Sequence, residues 1–246
     1  MKKQNLLFFP FLFAMGIGLF SCNFGNSGNV GNYTEYLAVV TYNYNTGGIL
    51  LGTPYFGYLS APELNTTFYE GDCVLLNQFT IDYDDVSASP YYTASNITAT
   101  KINQSTYVES DTVEIGDYTL PISGITGLSS CEFYQGKFFA KITCSDSNPD
   151  FRLVYKDNED GPDGTKNFYL LAKASGTSTS GTVIIYAFDV SPLILMGQQD
   201  TTVQDIHYKF INANLKYFSG ISDTGVPKFP QASQNSFIVP IIDNSY

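Results

Sequence analysis

Lysine and arginine are absent from the whole stretch between residues 23 and 100. The same stretch holds Glu35, Glu63, Glu70, Asp72, Asp82, Asp84 and Asp85. Binding to a phosphate backbone depends on Lys and Arg displacing counterions, and a single-strand groove needs positive charge as well. This half of the chain is therefore excluded as a nucleic-acid binder. The same scarcity argues against electrostatic attachment to anionic lipid. Tryptophan is absent, and His207 is the single histidine. Any Ser–His–Asp or Cys–His mechanism would have to use it. Alternation along Asp205-Ile206-His207-Tyr208-Lys209 instead places it on the solvent side of a strand. There is no Gly-x-Ser-x-Gly nucleophile elbow. One histidine and scattered cysteines do not make a zinc site. Neither an enzyme nor a cofactor or metal is expected.

Long apolar runs are missing too. The longest, Leu6 to Phe20, is fifteen residues, short of the ~20 that a membrane-spanning helix needs. It follows Lys2 and Lys3 and ends at Ser21 and Cys22, the charged–apolar–small order of a secretory signal. Leu19-Phe20-Ser21-Cys22 resembles the bacterial lipobox, with Phe20 bulkier than the usual occupant. That resemblance implies removal of residues 1–21 and diacylation (palmitate-type chains) of Cys22, the lipid attachment site and new N-terminus. Two or three acyl chains anchor stably where one is marginal. Cleavage leaves 10 of the 12 bases against 23 acids.

Three further cysteines remain, Cys73, Cys131 and Cys144. An exported compartment permits disulfides, but an odd number cannot pair fully within one chain. Cys131 and Cys144 flank a hairpin turning at Gln135-Gly136. That turn sets Cys131 opposite about Ala140, so the reading preferred is buried apolar thiols.

Charged residues make up only 14% of the chain, while Tyr and Phe contribute 19 each. An apolar content of 43% argues against disorder. Abundant Thr, Tyr, Phe, Val and Ile, broken by Gly and Pro, predicts an all-β protein. Asn23–Asn32 is a Gly/Asn/Ser segment of flexible composition, so residues 22–34 are expected to be a tether. Strands are expected over Tyr36–Tyr44, Ile49–Leu51, Tyr55–Leu59, Cys73–Asp82 and Ser95–Asn103. That density suits a small OB-like barrel over residues 35–107. Residues 108–123 mix acids with Pro121 and are expected to be a linker. The remaining residues, 124–246, predict a β-sandwich. Its strands are expected at Cys131–Tyr134, Lys137–Cys144, Phe151–Lys156, Asn167–Ala174, Thr182–Asp189, Ile206–Phe218 (kinked at Asn212-Ala213-Asn214) and Ser236–Ile242.

Glu70-Gly71-Asp72-Cys73-Val74-Leu75-Leu76-Asn77 entering a strand, Ser95–Asn103, Asn167-Phe168-Tyr169-Leu170 and Ala187-Phe188-Asp189-Val190-Ser191 together resemble the NigD-like lipoproteins of Bacteroidetes. The resemblance covers nearly the whole mature chain. It implies a lipobox cysteine, an N-terminal OB-fold barrel and a C-terminal β-sandwich. Many surface lipoproteins of that phylum carry acids directly after the cysteine. Residues 23–34 carry none, which implies the periplasmic face of the outer membrane rather than the cell surface.

Four aromatics stand out as ligand-binding candidates. Tyr55 and Phe56 follow one proline, Tyr91 and Tyr92 another. Aromatics on barrel loops can stack on sugars, and OB-folds bind oligosaccharides; the competing reading is packing between loops and domains. Asp157-Asn158-Glu159-Asp160-Gly161-Pro162-Asp163-Gly164 offers oxygen ligands for Ca²⁺, although its spacing departs from the EF-hand pattern. Asp82, Asp84 and Asp85 read as a solvated strand end rather than a glycosidase pair. Asp111-Thr112-Val113 and Asp200-Thr201-Thr202 resemble an O-glycosylation pattern of Bacteroidetes. The expected function is a non-catalytic binding or interaction lipoprotein, carbohydrate-related in one form, held by its lipid and meeting a glycan or an envelope protein. The alternatives are a fimbrial or stalk subunit with an open or exchangeable strand, and a hydrolase with an interdomain site. Nothing in the sequence sets the oligomeric state.

Overall fold

The structure, a computed structural model, describes residues 29–44, 47–84, 91–126, 133–160, 165–195 and 208–242. The signal segment, Cys22, Cys131 and His207 lie outside them. Nearly every described element is a strand, as the composition predicts.

The N-terminal barrel is built from β1 (Val30–Tyr33), β2 (Tyr36–Asn43), β3 (Gly48–Thr53), β4 (Gly57–Ser60), β5 (Cys73–Asp82) and β6 (Tyr92–Thr106). Around the barrel the order is β2, β3, β4, β6, β5 and back to β2. All neighbours are antiparallel except β4 and β6, which pair Leu59 with Tyr92 in parallel. First–second–third–fifth–fourth, with a parallel third–fifth pair, is the OB topology. Strands β1 and β2 run one after the other along β5, Tyr33 facing Phe79 and Tyr36 facing Leu76. Glu35, at φ 60, takes up the joint. A register shift in β5 around Gln78 moves its inward side chains from Val74 and Leu76 to Phe79 and Ile81. With Ala38, Val40, Ile49, Leu51, Leu59 and Ala94 these fill the barrel.

Residues 30–33 were expected in the tether and instead form β1. Their Gly-Asn composition is that of a linker, but the backbone finds a partner in β5, about fifty residues away. The stretch 108–123 is likewise not a free linker. It opens with β7 (Val108–Glu109), paired in parallel with β11 (Asp150–Tyr155), and ends entering β8 (Ile122–Thr126). Between them, Val113, Ile115 and Tyr118 pack on Val154, Tyr169, Leu171 and Phe218. Val113 and Ile115, spaced by two, and Tyr118, carried back by a turn in which its amide donates to the Ile115 carbonyl, let this segment lie on a sheet with Glu114 and Asp117 outward.

The second unit adds β9 (Phe133–Tyr134), β10 (Lys137–Asp146), β12 (Lys166–Lys173), β13 (Ser178–Asp189), a short helix α1 (Ser191–Leu195), β14 (Tyr208–Tyr217), β15 (Gly220–Ile221), β16 (Pro227–Lys228) and β17 (Gln231–Ile242). One sheet continues from β6 through β13 and β10 to β8; the other runs β17, β14, β12, β11, β7. Period-two alternation sorts their side chains. Phe138, Ala140 and Ile142 of β10, Tyr186 and Phe188 of β13, Phe151 and Leu153 of β11, and Phe168 and Leu170 of β12 meet in the sandwich core. The β9–β10 turn falls at Gln135-Gly136, as read from the sequence. Both residues have positive φ, 47 and 75, the primed-turn geometry that suits a two-residue hairpin loop and favours glycine. In β14 the irregularity against β17 falls between Asn214 and Lys216, slightly beyond the expected kink.

The two units share backbone. The last residues of β6 pair in parallel with β13, Asn103 facing Tyr186 and Thr106 facing Asp189. A separate apolar cluster seals the seam: Leu37, Val39, Cys73 and Ile102 from outside the barrel, Phe139 and Ala187 from the sandwich. Here Cys73 donates to Gln104 Oε1 at 3.1 Å. Burial pushes its thiol up to about 12, and burial also raises that of Cys144. Both are free thiols. Since the thiolate is the reactive form, iodoacetamide at neutral pH should leave Cys73 and Cys144 unlabelled in native protein and label them in denaturant. Peptide mass spectrometry reads this out, and native labelling of either would contradict the burial described.

Candidate functional site

Strand directions put the β3–β4 turn, the β5–β6 loop and the start of β1 at one end of the barrel. That end is aromatic. Phe79 is fully buried beneath it. Around it lie Tyr33, with ring centroids 5.2 Å away, Tyr36 at 5.6 Å and Phe56 at 5.8 Å. Tyr36 meets Tyr55 edge-on at 5.9 Å. The Tyr33 and Tyr83 hydroxyls are 2.5 Å apart, and Tyr83 meets Tyr92 at 5.2 Å. A band of rings thus crosses the barrel mouth from Tyr55 to Tyr92, which remain 60% and 45% exposed.

Two of the phenols here, Tyr36 and Tyr83, are shifted away from ionisation. Burial and then the neighbouring Tyr33 and Tyr55 raise Tyr36 above its ordinary value. Burial and then the bond to Tyr33 do the same for Tyr83. Edge-to-face rings with neutral hydroxyls can stack on an apolar or sugar face and hydrogen-bond at its margin.

The four aromatics singled out in the sequence divide between places. Tyr55 and Tyr92 stand at the aromatic mouth. Phe56 packs under it, 4.7 Å from Tyr33. Tyr91 lies 6.2 Å from Tyr58 of β4, on another face. Tyr33, Tyr36 and Tyr83 belong to the mouth and were not foreseen. Their signal was present as tyrosines at the ends of β1, β2 and β5, but reading it required the barrel's strand order.

OB-folds commonly hold oligomers on the face of their second and third strands. In this chain those strands are β3 and β4, and Gly52 sits opposite Tyr58 on them. The β9–β10 turn of the second unit occupies this face. A Cβ on Gly52 would lie 2.7 Å from Gln135 Nε2, and the same nitrogen donates to the Tyr58 hydroxyl at 3.1 Å. On the surface where other OB barrels bind, the protein's own hairpin thus sits over Gly52, while Tyr58 stays 40% exposed. Nothing in the local sequence ties Gln135 to Gly52.

The acidic groups are largely engaged with cations or backbone. Asp72 pairs with Lys101 at 2.7 Å. Asp84 accepts from the Asn29 amide at 2.8 Å, and Asp82 accepts from the Asp84 amide at 3.0 Å. Near the seam, Asp189 binds Lys137 at 2.7 Å and also takes the Ser191 amide and hydroxyl. Burial pushes that carboxyl up, but the Lys137 and Ser191 bonds outweigh it, and it stays below its ordinary value. Of the loop of residues 157–164, residues 161–164 lie outside the described residues. Glu159 binds Lys156 and the Tyr169 hydroxyl, both at 2.5 Å. The Lys156 bond, then the Tyr169 bond, holds its carboxyl below the usual range. Asp160 takes Lys166 and Tyr155. These oxygens face ammonium and phenol groups rather than each other. Among the described residues no three His, Cys, Asp or Glu side chains converge as metal ligands, and no helix is long and apolar enough to cross a membrane.

A closed OB barrel running through a shared strand into a sandwich defines the class: a two-unit, all-β protein with an OB domain at its N-terminus. Residues 28–102 match the family model described as a lipoprotein OB domain. No curated protein matches the chain. Among solved structures, an uncharacterized protein from Parabacteroides merdae superposes with a TM-score of 0.61 at 18% identity, over 85% of this chain and 99% of that one. A NigD-like immunity protein from Bacteroides caccae gives 0.54 at 13% identity, over 87% and 98%. A candidate lipoprotein from Bacteroides fragilis gives 0.53 at 13% identity, over 88% and 100%. The chain is thus similar in fold, across both units, to a NigD-like protein and to lipoproteins of Bacteroidetes, as the sequence resemblance implied.

Proposed function

We propose that this is a lipid-anchored envelope lipoprotein that works by binding rather than catalysis. The observation that carries the reading is the adjacency of two features. A lipobox-like Leu19–Cys22 ends a signal-like segment, and a barrel matching a lipoprotein OB domain begins a few residues later. Acylated Cys22 would hold the protein at the periplasmic face of the outer membrane, since residues 23–34 directly after it carry no acids. Carboxylates tied to Lys and backbone, and the raised phenols of Tyr36 and Tyr83, support recognition over acid–base chemistry. The partner is an envelope protein or a glycan. The immunity role in the name of the Bacteroides caccae relative fits binding of a protein; the tyrosines at the barrel mouth fit a glycan. Gln135 over Gly52 narrows the β3–β4 face, which favours the aromatic mouth for recognition.

The test is substitution of the anchor. Cys22→Ala should move the protein from the membrane fraction to the soluble fraction of the envelope. Mass spectrometry of the wild-type N-terminal peptide should show an acylated residue 22. A Cys22→Ala protein that still sediments with membranes would remove the reading.

A further inference from the structure

We infer that the aromatic mouth of the barrel, with Tyr55 and Tyr92 at its rim, rests on the headgroup layer of the membrane that holds the anchor. This rests on the lipid anchorage proposed above. The first observation is where the chain enters the fold. Val30 of β1 pairs with Asp82 at the end of β5. The Asn29 amide binds Asp84 at 2.8 Å, and its carbonyl accepts the Tyr83 amide at 2.9 Å. The point of entry is therefore clamped to the same end as the tyrosines. Between Cys22 and Asn29 there are seven peptide steps. Fully extended, these reach at most about 25 Å, so an acylated Cys22 holds this end of the barrel beside the bilayer.

The second observation is what that end exposes. Tyr55 and Tyr92 are 60% and 45% exposed, and Val30, at the same end of the barrel, is 46% exposed. Tyrosine has an apolar ring and a polar tip and is enriched at membrane–water interfaces, where one end is dry and the other wet. The third is charge. Asp82 and Asp84 lie at the same end, and no lysine or arginine occurs between residues 23 and 100. An anionic surface would repel this face, so the surface that fits is zwitterionic lipid met through rings. The opposite end of the barrel, which carries Tyr44 beyond β2, points away from the anchor.

The absence of tryptophan makes the test direct. In full-length acylated protein, Tyr55→Trp and, separately, Tyr44→Trp each provide a single reporter. Tyr44 is 78% exposed and serves as the distal control. Each variant is reconstituted on phosphatidylcholine–phosphatidylethanolamine vesicles whose acyl chains carry bromine close to the headgroup. Tyr55→Trp should lose emission relative to unbrominated vesicles and shift to the blue, while Tyr44→Trp should do neither. Should Tyr55→Trp fail to fold by thermal melt, Tyr92→Trp reads the same rim. If the protein floats with the vesicles but the rim reporter stays unquenched, the contact is overturned, the anchor stands, and the rim is left for glycan stacking. Equal quenching at both ends overturns it as well. Protein that does not float overturns the anchor and the contact together.

Discussion

Phe139→Ala should lower the stability of the whole protein by about 3–5 kcal/mol, the usual cost of a large aromatic-to-alanine cavity in a packed interior. Phe139 is fully buried, yet it belongs to neither unit's own core. It fills the seam with Leu37, Val39, Cys73, Ile102 and Ala187. Its loss therefore strikes the coupling between barrel and sandwich. Calorimetry of the wild type should show one transition, because β6 contributes backbone to both units. In Phe139→Ala the melting temperature should fall and the barrel and sandwich should begin to melt apart. A variant that keeps the wild-type melting temperature would mean that the seam is not a packed interior.

Asp146→Ala should cost about 1.5–3 kcal/mol, the typical worth of hydrogen bonds to a charged group. Asp146 is 2% exposed. Its Oδ1 accepts the Asn148 amide at 2.8 Å and the Gly176 amide at 3.0 Å, and Oδ2 accepts Gly176 again at 3.2 Å. The carboxylate thus ties the β10–β11 turn to the loop between β12 and β13. Alanine removes the acceptor of both backbone N–H groups and leaves the turn and the loop untied. Asp146→Asn keeps one acceptor oxygen and should cost distinctly less. Urea unfolding of the three proteins measures the difference, and equal costs for the two substitutions would show that the hydrogen bonds are not what Asp146 supplies.

The sequence was most readable where pairing is local and alternation is strong. Cys73–Asp82 carries a turn before it, an apolar period and a charged end, and β5 has those bounds. The hairpin at Gln135-Gly136 was visible because two residues with positive φ leave a mark in residue choice. The expected strands of the second unit lie within five residues of β9 to β14 and β17, since period-two apolar alternation marks a strand with a core face, whereas β7, β8, β15 and β16 were not foreseen. What stayed hidden depends on distant partners. Gly31 and Asn32 look like tether because composition reports propensity, and no local signal records that β5 waits for them. Residues 108–123 look like linker for the same reason. The candidate site was half legible. Prolines flagged the loops carrying Tyr55 and Tyr92, but only the barrel's strand order brings Tyr33, Tyr36 and Tyr83 to them. The covering of Gly52 by Gln135 is a tertiary event with no trace in either segment.

The run of β1 beside β5 bears on how the molecule answers tension. Under the lipid anchorage proposed above, drag on the body or motion of the bilayer would pull at Val30, nearly parallel to the strands, so the β1–β5 ladder would be strained in shear. Shear requires several hydrogen bonds to rupture together, whereas peeling opens them one after another. Strand β5 is laced to β6, and β6 to β13. A tug on the lipid would therefore spread through both units at once instead of unravelling the barrel from its first strand.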